Sequence, residues 1–271
     1  MNQFPLNYYL KSVIYFVSRH VLRLKYMVGY SSQYDVKFKF RTPDGVGRMI
    51  FKKGIYEEEL TDYILKNLEL KSGDIVFDVG ANIGWYSIVL SKYYHGIEVH
   101  SFEPDPENFS ILKANILKNN FQNIVPNNFG LGKEKDTLKL YLYKKGNLGR
   151  HSILKINHGS SINVRISSFD DYLKDKKIDT SKIKFLKIDI EGYEYLAFLG
   201  GKEFLNHVPI LLAEYSPGYM RKGGLDPAKL IDLLRSYNFS PFRINGMNLE
   251  PVDDEQLLKA ELNLDLIWKK K

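Results

Sequence analysis

The segment at residues 75–87 (IVFDVGANIGWYS) constrains this chain more than any other. Its first five residues have the character of a buried strand, two glycines indicate a tight turn, and the start of a helix follows. Asp78 places a carboxylate at the carboxyl edge of that strand, where open α/β sheets bind their ligands. Gly80 and Gly84 let the turning backbone approach a ligand closely. The segment therefore predicts a site for a nucleotide-type cofactor.

A second acid narrows the choice of cofactor. Glu103 ends the next short apolar run, 19 residues beyond Gly84, a distance that suits an acid binding ribose hydroxyls. The glycine spacing D-x-G-x-x-x-G departs from the dinucleotide pattern G-x-G-x-x-G, and an acid before the first glycine would repel a diphosphate but attract an ammonium group. S-adenosylmethionine has an ammonium group, a ribose and no phosphate, so it is the predicted cofactor. A strand-to-helix turn without any ligand is the alternative.

The organisation of the chain follows from its periodicity. From residue 75 onward, strand-like and helix-like segments alternate, which predicts right-handed βαβ units and a parallel sheet over residues 56–271. Residues 1–55 are expected to form an extension with a helix and a β-hairpin, whose arms are residues 36–40 and 47–53 around the turn at 42–45. The acids at 57–59 are interpreted as a solvated first helical turn. The polar insertion at 146–161 is expected to cover the site.

The net charge of +7 is concentrated at the N-terminus. Residues 1–56 carry ten Lys or Arg and two Asp, a balance of +8, which leaves −1 for the rest. Such a segment favours an anionic partner, either membrane phospholipid or nucleic acid. Four basic residues interrupt the apolar stretch at 8–28, so we expect no transmembrane span. This stretch could contact a membrane surface peripherally, or it could pack on the domain or on a second subunit. We expect a cytoplasmic protein.

Two acids in residues 183–192 (IKFLKIDIEG) are the candidates for chemistry. A central parallel strand should be almost entirely apolar, and Lys187 and Asp189 depart from that pattern. Asp189 and Glu191 are expected at the same sheet edge as Asp78. The structural alternative for Asp189 is a helix cap or an ion pair with Lys187, and the alternative for Glu191 is a solvated turn residue. Glu214 ends another apolar run and is a further candidate for the site, with a structural role as its alternative.

Other catalytic chemistries find little support. The chain has no cysteine, which excludes a thiolate metal site and a cysteine nucleophile. Its six histidines lack metal-ligand spacing, and we predict no metal site. His151, in the polar insertion, could reach a substrate, although a structural role is favoured.

Three segments together resemble the FkbM family of S-adenosylmethionine-dependent methyltransferases: residues 76–86 (VFDVGANIGWY), 102–106 (FEPDP) and 186–194 (LKIDIEGYE). The resemblance covers about residues 56–215. It implies a Rossmann-like seven-stranded methyltransferase sheet with helices on both faces. It also implies O-methylation of a hydroxyl on a small molecule or a glycan, such as a lipid-linked sugar or a secondary metabolite.

The resemblance also assigns roles to residues. Those expected to bind the cofactor are Asp78, Gly80, Asn82, Gly84, Glu103, Asn128, Phe129 and Asp189. Asp189 or Glu191 is expected to accept the proton of the acceptor hydroxyl. Three other functions compete with this one. An RNA methyltransferase is disfavoured because no motif of the Asn-Pro-Pro-Tyr type for base amino groups is present, and a nicotinamide-dependent oxidoreductase is disfavoured by the glycine spacing. The third alternative is a non-catalytic membrane adaptor.

Overall fold

A computed structural model describes residues 6–143, 151–156 and 159–271 of the chain. The helices are α1 (Leu6–Phe16), α2 (Gly45–Lys53), α3 (Glu58–Asn67), α4 (Trp85–Tyr93), α5 (Pro106–Lys118), α6 (Phe169–Lys176), α7 (Glu194–Leu199), α8 (Lys202–His207), α9 (Pro217–Lys222), α10 (Ala228–Ser236) and α11 (Asp254–Lys259). A π-helical turn at Val17–Val21 continues α1, and a 3-10 turn occupies Thr180–Lys182. The strands are β1 (Tyr26–Ser31), β2 (Val36–Arg41), β3 (Ile75–Val79), β4 (Glu98–Phe102), β5 (Ile124–Asn127), β6 (Gly130–Leu131), β7 (Asp136–Tyr141), β8 (Ser161–Ser167), β9 (Ile183–Ile188), β10 (Ile210–Tyr215), β11 (Phe239–Asn245), β12 (Asn248–Pro251) and β13 (Leu264–Lys270).

The main sheet has the order β12-β11-β13-β10-β9-β3-β4-β5 within the described residues. The pairs β10·β9, β9·β3, β3·β4 and β4·β5 are parallel, and β13 runs antiparallel to both of its neighbours. The expected seven-stranded Rossmann-like sheet is thus confirmed. A hairpin adds β12 as an eighth strand beside β11.

Helices cover both faces of this sheet. Alternate residues of each strand enter opposite cores: Val76 and Val99 pack with α3, α4 and α5, whereas Phe77 and Phe102 pack with α6, α7 and α8. The chain leaves β3 towards β4 and β5 on one side and later returns to β9 on the other. The strand order therefore reverses between β3 and β9, and ligands of open α/β sheets bind in the crevice beyond the carboxyl ends of such a pair.

The predicted hairpin is wrong in its second arm. Residues 47–53 belong to α2, and the arm that pairs with β2 is the preceding strand β1. Asp44 begins α2, because its carboxylate accepts a hydrogen bond from the Gly47 amide at 2.7 Å. The turn-forming residues at 42–45 serve equally well as a helix N-cap, and local chemistry does not distinguish the two. A β-carbon on Gly47 would lie 2.1 Å from the Phe40 ring, so the glycine lets α2 pack directly on β2.

The N-terminal extension shares the hydrophobic core of the α/β domain. Phe38 and Phe40 on β2 are fully buried in the cluster that contains Trp85 and Leu112. Asn115 on α5 fastens the strand through both its amide atoms: Oδ1 accepts from the Lys39 N–H at 2.6 Å and Nδ2 donates to the Lys39 carbonyl at 3.0 Å. Among the helices that the structure describes, none combines the length and apolar character that a membrane span requires.

Candidate active site

Gly80 sets the geometry of the turn that follows β3. It adopts a left-handed φ of +78°, and a β-carbon there would lie 2.0 Å from the carbonyl oxygen of Asp189. Its amide and that of Ala81 both donate to the Phe102 carbonyl at 3.0 Å. The ends of β3, β4 and β9 are therefore held together at one point, which only a residue without a side chain allows.

Two predicted cofactor residues lie behind this turn instead of facing a cavity. The buried Asp78 carboxylate accepts hydrogen bonds from the Ser87 amide at 2.9 Å and from its hydroxyl at 2.5 Å, which ties β3 to α4. Gly84 has a φ of +93°, and a β-carbon there would lie 2.6 Å from a methyl group of Leu112. In this structure both residues shape the turn.

The first cavity opens beside the turn at the carboxyl ends of β3 and β4. Its lining combines apolar walls with a few convergent polar groups, and consists of Val79, Gly80, Asn82, Phe102, Glu103, Pro104, Asn108, Gly130, Leu131, Leu140, His151, Ile153, Asp189 and Ile190. Such a lining is typical of a small-molecule or cofactor site. Of the predicted cofactor residues, Gly80, Asn82, Glu103 and Asp189 meet here.

Glu103 is the central acid of the first cavity. One of its carboxylate oxygens accepts from the Asn82 amide and the other from the Asp105 amide, both at 2.8 Å. Burial raises the pKa of Glu103 to about 8. Asn82 adopts a left-handed φ of +50°, and its side-chain oxygen is buried without a hydrogen-bond partner among the described residues. The lining of the cavity thus combines a buried acid with an asparagine whose buried side-chain oxygen makes no hydrogen bond within the described residues.

The predicted pair at residues 128 and 129 lies outside the lining of this cavity. Asn128 donates to the Glu103 carbonyl at 2.9 Å and so supports the loop that carries the acid. The Phe129 ring packs against Phe102 with a centroid distance of 5.6 Å. The following residues, Gly130 and Leu131, contribute to the cavity wall instead.

His151 lines the first cavity, and it also makes a structural contact of the kind favoured from the sequence. Its Nδ1 accepts from the Tyr143 amide at 3.0 Å, and its Nε2 lies 3.9 Å from the Asp105 carboxylate. Burial lowers the pKa of His151. The described part of the polar insertion therefore lies against the site, as expected; residues 146–150, 157 and 158 of the insertion are outside the described residues.

A second cavity, called here the acidic cleft, adjoins the first. Its lining is formed by Val46, Tyr56, Glu57, Gly80, Ala81, Asn82, Ile83, Trp85, Tyr86, Lys187, Asp189, Glu191, Glu214 and Asp265. Five of these residues are acids and one is a lysine. Gly80, Asn82 and Asp189 belong to both cavities, so these residues form the boundary between them.

Lys187 lies buried at the base of the acidic cleft. Its ammonium is 3.4 Å from the Asp189 carboxylate and 5.4 Å from the centre of the Tyr86 ring. Burial acts to lower the pKa of Lys187, but the charges of Asp189, Asp78 and Glu57 outweigh it and hold that pKa above its usual range. The lysine is therefore a fixed positive charge among the acids. The ion pair considered from the sequence is present.

Glu57 was not identified as a site residue from the sequence, and the solvated interpretation is wrong for it. It precedes α3 with a left-handed φ of +46°, and its carboxylate accepts from the Tyr86 hydroxyl at 2.6 Å. Only Glu58 and Glu59 are exposed as expected. Burial raises the pKa of Glu57. The backbone turn, which no local pattern signals, directs this one acid into the cleft.

The remaining acids lie just after β9 and within β10 and β13. Glu191 is buried with a left-handed φ of +57°, and its carbonyl accepts from the Ser152 hydroxyl at 3.0 Å. Glu214 and Asp265 are direct cross-strand partners, and Glu214 accepts from the Ser216 hydroxyl at 2.5 Å. Asp265 was also missed, because it lies on a strand 76 residues after Asp189 with no motif around it.

Glu194 supports the loop between β9 and α7 from inside. Its carboxylate accepts from the Ile190 amide at 2.8 Å, and burial raises its pKa to about 7. Ser168 begins α6, and the Asp170 carboxylate accepts from the amides of Glu203 and Phe204 at the start of α8. No group of three His, Asp or Glu side chains in the part of the chain that the structure describes is arranged to hold a metal ion.

This fold, with the first cavity and the acidic cleft side by side, defines the cofactor domain of a Rossmann-like methyltransferase. The model of the methyltransferase FkbM domain matches residues 78–241, more than half of the chain, so the chain belongs to the FkbM methyltransferase family. The family inferred from the three sequence segments is confirmed.

Two of the sequence relatives are also named as methyltransferases. The chain is 39% identical over 90 residues to the 31-O-demethyl-FK506 methyltransferase FkbM of Streptomyces tacrolimicus, a match that spans 31% of this chain and 35% of that protein. It is 22% identical to the hexuronic acid methyltransferase AglP of Haloferax volcanii, over 79% of this chain and 82% of that one. Among solved structures, M. jannaschii TYW2 in complex with AdoMet has a TM-score of 0.43 and 11% identity, over 91% of this chain and 87% of that chain.

Proposed function

We propose that this chain is an O-methyltransferase that uses S-adenosylmethionine to methylate a hydroxyl of a small molecule or a glycan. The observation that carries the proposal is that Asp189 forms part of both cavities, one of which suits a nucleoside and the other a polar acceptor. When bound, S-adenosylmethionine supplies an electrophilic methyl group on its sulfonium. The two sequence relatives above are named as methyltransferases of 31-O-demethyl-FK506 and of a hexuronic acid, which supports this acceptor class.

The lining of the first cavity fits the adenosine part of that cofactor. Apolar side chains such as Phe102 and Leu131 suit the faces of a base, and the buried Glu103 carboxylate suits ribose hydroxyls. The unpartnered Asn82 oxygen can accept a further hydrogen bond. The acids of the adjoining cleft suit the ammonium of the amino-acid end, since opposite charges attract strongly in a partly desolvated site.

Asp189 and Glu191 are the candidates for accepting the proton of the acceptor hydroxyl. The side chain of Asp189 is one-third exposed at the boundary of the two cavities and is oriented by Lys187. Glu191 is buried and lines only the acidic cleft. The position of Asp189 favours it as the base, because a general base must lie within hydrogen-bond reach of the acceptor oxygen beside the cofactor. Glu191 then contributes to acceptor binding.

The charge of the acidic cleft selects the acceptor. As its five acids ionise, the cleft, with its one lysine, would repel a carboxylate-bearing sugar and would bind the hydroxyl or ammonium groups of a neutral or amino sugar. We therefore expect neutral and amino sugars to be preferred over uronic acids, in contrast to the named acceptor of AglP. The cavity walls of Trp85 and Tyr86 give such a ring an apolar surface.

The first test is calorimetric titration of the full chain with S-adenosylhomocysteine and, separately, with NADH. We expect binding of S-adenosylhomocysteine and none of NADH; the reverse result would assign the site to a nicotinamide-dependent oxidoreductase. The second test is transfer of a labelled methyl group into matched acceptors that differ only in a hydroxymethyl, amine or carboxylate group. Methylation of the carboxylate form alone would contradict the acceptor assignment while leaving the enzyme class intact.

A further inference from the structure

Helix α1 and the π-helical turn that continues it have an inverted amphipathic pattern. Their large apolar side chains are on the exposed face, with 38–65% of each accessible: Tyr9, Leu10, Val13, Ile14, Phe16, Val17 and Val21. The side of the helix that packs on the protein instead carries the buried residues Tyr15 and Ser18. A surface helix normally directs its apolar stripe inward, so this face lacks a covering surface within the described chain.

The helix is held firmly in this orientation. The buried Tyr15 hydroxyl donates a hydrogen bond to the Thr42 carbonyl, and its ring packs on Phe51 of α2 with a centroid distance of 6.4 Å. The Lys52 ammonium lies 5.3 Å from the centre of the same ring. The exposed face is therefore presented by packing contacts and does not result from a detached helix.

The apolar stripe continues into the next segment and is accompanied by positive charge. Leu22 and Leu24 are 61% and 43% exposed, and they alternate with the exposed cations Arg23 and Lys25. The only acids in residues 1–56 are Asp35 and Asp44, and Asp44 is buried in the cap of α2. A contiguous apolar stripe bordered by cations matches the boundary between lipid headgroups and acyl chains, which offers apolar contact and negative charge together.

We propose that α1, the π-helical turn and residues 22–25 form a docking surface for an anionic phospholipid membrane, on which the helix lies parallel to the bilayer. Apolar burial supplies the affinity and the basic residues supply the preference for anionic lipids. Nucleic acid is a poorer match, because the exposed face is mainly aliphatic and bases stack on aromatic or guanidinium groups. A second copy of the chain would bring two strongly basic segments together.

The test is co-sedimentation of the full chain with vesicles of phosphatidylcholine alone or with 30% phosphatidylglycerol, on the order of compositions that give an anionic surface. We expect binding to the anionic vesicles that is reduced at least about tenfold by the double substitution Val13→Glu and Val17→Glu. The control is the double substitution Leu117→Glu and Leu262→Glu, which introduces the same two negative charges at residues that are 69% and 79% exposed and outside the stripe. Arg23→Gln with Lys25→Gln should lower the preference for anionic lipid.

Three results would overturn the proposal: no sedimentation of the wild type with either vesicle, equal sedimentation of the double variant, or a wild-type dimer that the double variant converts to a monomer without any vesicle binding. Binding of RNA in place of vesicles would likewise assign the surface to a different partner. Unchanged affinity of the variants for S-adenosylhomocysteine shows that the fold is intact. This readout is independent of methyl transfer, so the proposal can fail while the proposed function stands.

Discussion

Gly80 and Asp189 are in such close contact that a single methyl group on Gly80 would lie 2.0 Å from the Asp189 carbonyl oxygen. The contact joins the turn after β3 to the end of β9, and the Asp189 amide also donates to the Val79 carbonyl at 3.1 Å. Both cavities are built around this junction. Substitutions here should therefore affect cofactor binding and stability together.

Gly80→Ala should destabilise the protein and abolish cofactor binding. The substitution strains a left-handed residue, at a cost of about 1–2 kcal/mol, and also forces the backbone of Asp189 to move. Gly73→Ala is the matched control, since Gly73 has a φ of +89° but no atom within 4 Å of the added carbon. Thermal unfolding and titration with S-adenosylhomocysteine measure both effects. Equal losses in the two variants would show that the contact with Asp189 has no energetic role.

Glu103→Gln should weaken S-adenosylhomocysteine binding by about tenfold at pH 9, since a hydrogen bond to a charged group, worth about 1.5–3 kcal/mol, is replaced by a neutral one worth about 0.5–1.5 kcal/mol. Burial raises the pKa of Glu103 to about 8, so the wild-type affinity should increase as the pH rises from 6 to 9. The variant should lose this dependence. Calorimetry across that range provides the test, and a parallel slope in both proteins would remove Glu103 from the ribose site.

Asp189→Asn should lower kcat by at least about 100-fold, the usual contribution of a general base, with a much smaller effect on cofactor affinity. Glu191→Gln should instead raise KM for the acceptor. Steady-state kinetics with an identified acceptor, together with titration of S-adenosylhomocysteine, separates the two. If Asp189→Asn reduces both kcat and cofactor affinity equally, Asp189 is a binding residue.

Asn115→Ala should destabilise the chain by about 2–3 kcal/mol, because it leaves the partly buried Lys39 backbone groups and the buried Ile83 carbonyl without these partners. Asn119 makes the equivalent fork to the Lys37 backbone at a more exposed position, so Asn119→Ala should cost much less. Chemical denaturation of both variants measures the difference. Similar values would mean that the tie between β2 and α5 does not depend on burial.

Stability should fall as the pH rises from about 5 to 8. Glu194 and Glu103 have folded pKa values of about 7 and about 8, above those of unfolded glutamate. Their contribution is complete below the unfolded pKa and is lost as the pH passes the folded value, with a slope of up to about 1.4 kcal/mol per pH unit for each group. Glu194→Gln should flatten the slope between pH 5 and 7. An unchanged slope in the variant would contradict the raised pKa of Glu194.

As the pH rises, methylation should favour neutral and amino sugars more strongly over uronic acids. The raised pKa of Glu214 and of Asp265, the latter about 7, means that these acids gain charge towards alkaline pH. Glu214→Gln with Asp265→Asn should then reduce the discrimination against uronic acids. Competition between matched acceptors at pH 6.5 and 8.5 measures the ratio. A ratio that does not depend on pH would place the acceptor away from these acids.

Strongly periodic segments and turn motifs were predictable. The strands at 75–79, 183–188 and 210–215 and the helix α5 follow from apolar runs and from the cap at Asp105. The helical structure of residues 47–53 was not predictable, because the same turn residues can begin a hairpin turn or a helix. The packing of Gly47 on Phe40 favours the helix. Glu57 and Asp265 were missed since neither belongs to a motif. They reach the cleft from elements separated by most of the chain.

The sequence by itself determined the family, the parallel sheet and the glycine turn after β3, because these depend on neighbouring residues. Only the tertiary structure decided which acids share a cavity: Asp78 lies behind the turn, whereas Glu57 enters the cleft. It also decided that the apolar face of α1 is exposed. Both outcomes depend on which surfaces of distant elements pack against each other, and no local pattern encodes that.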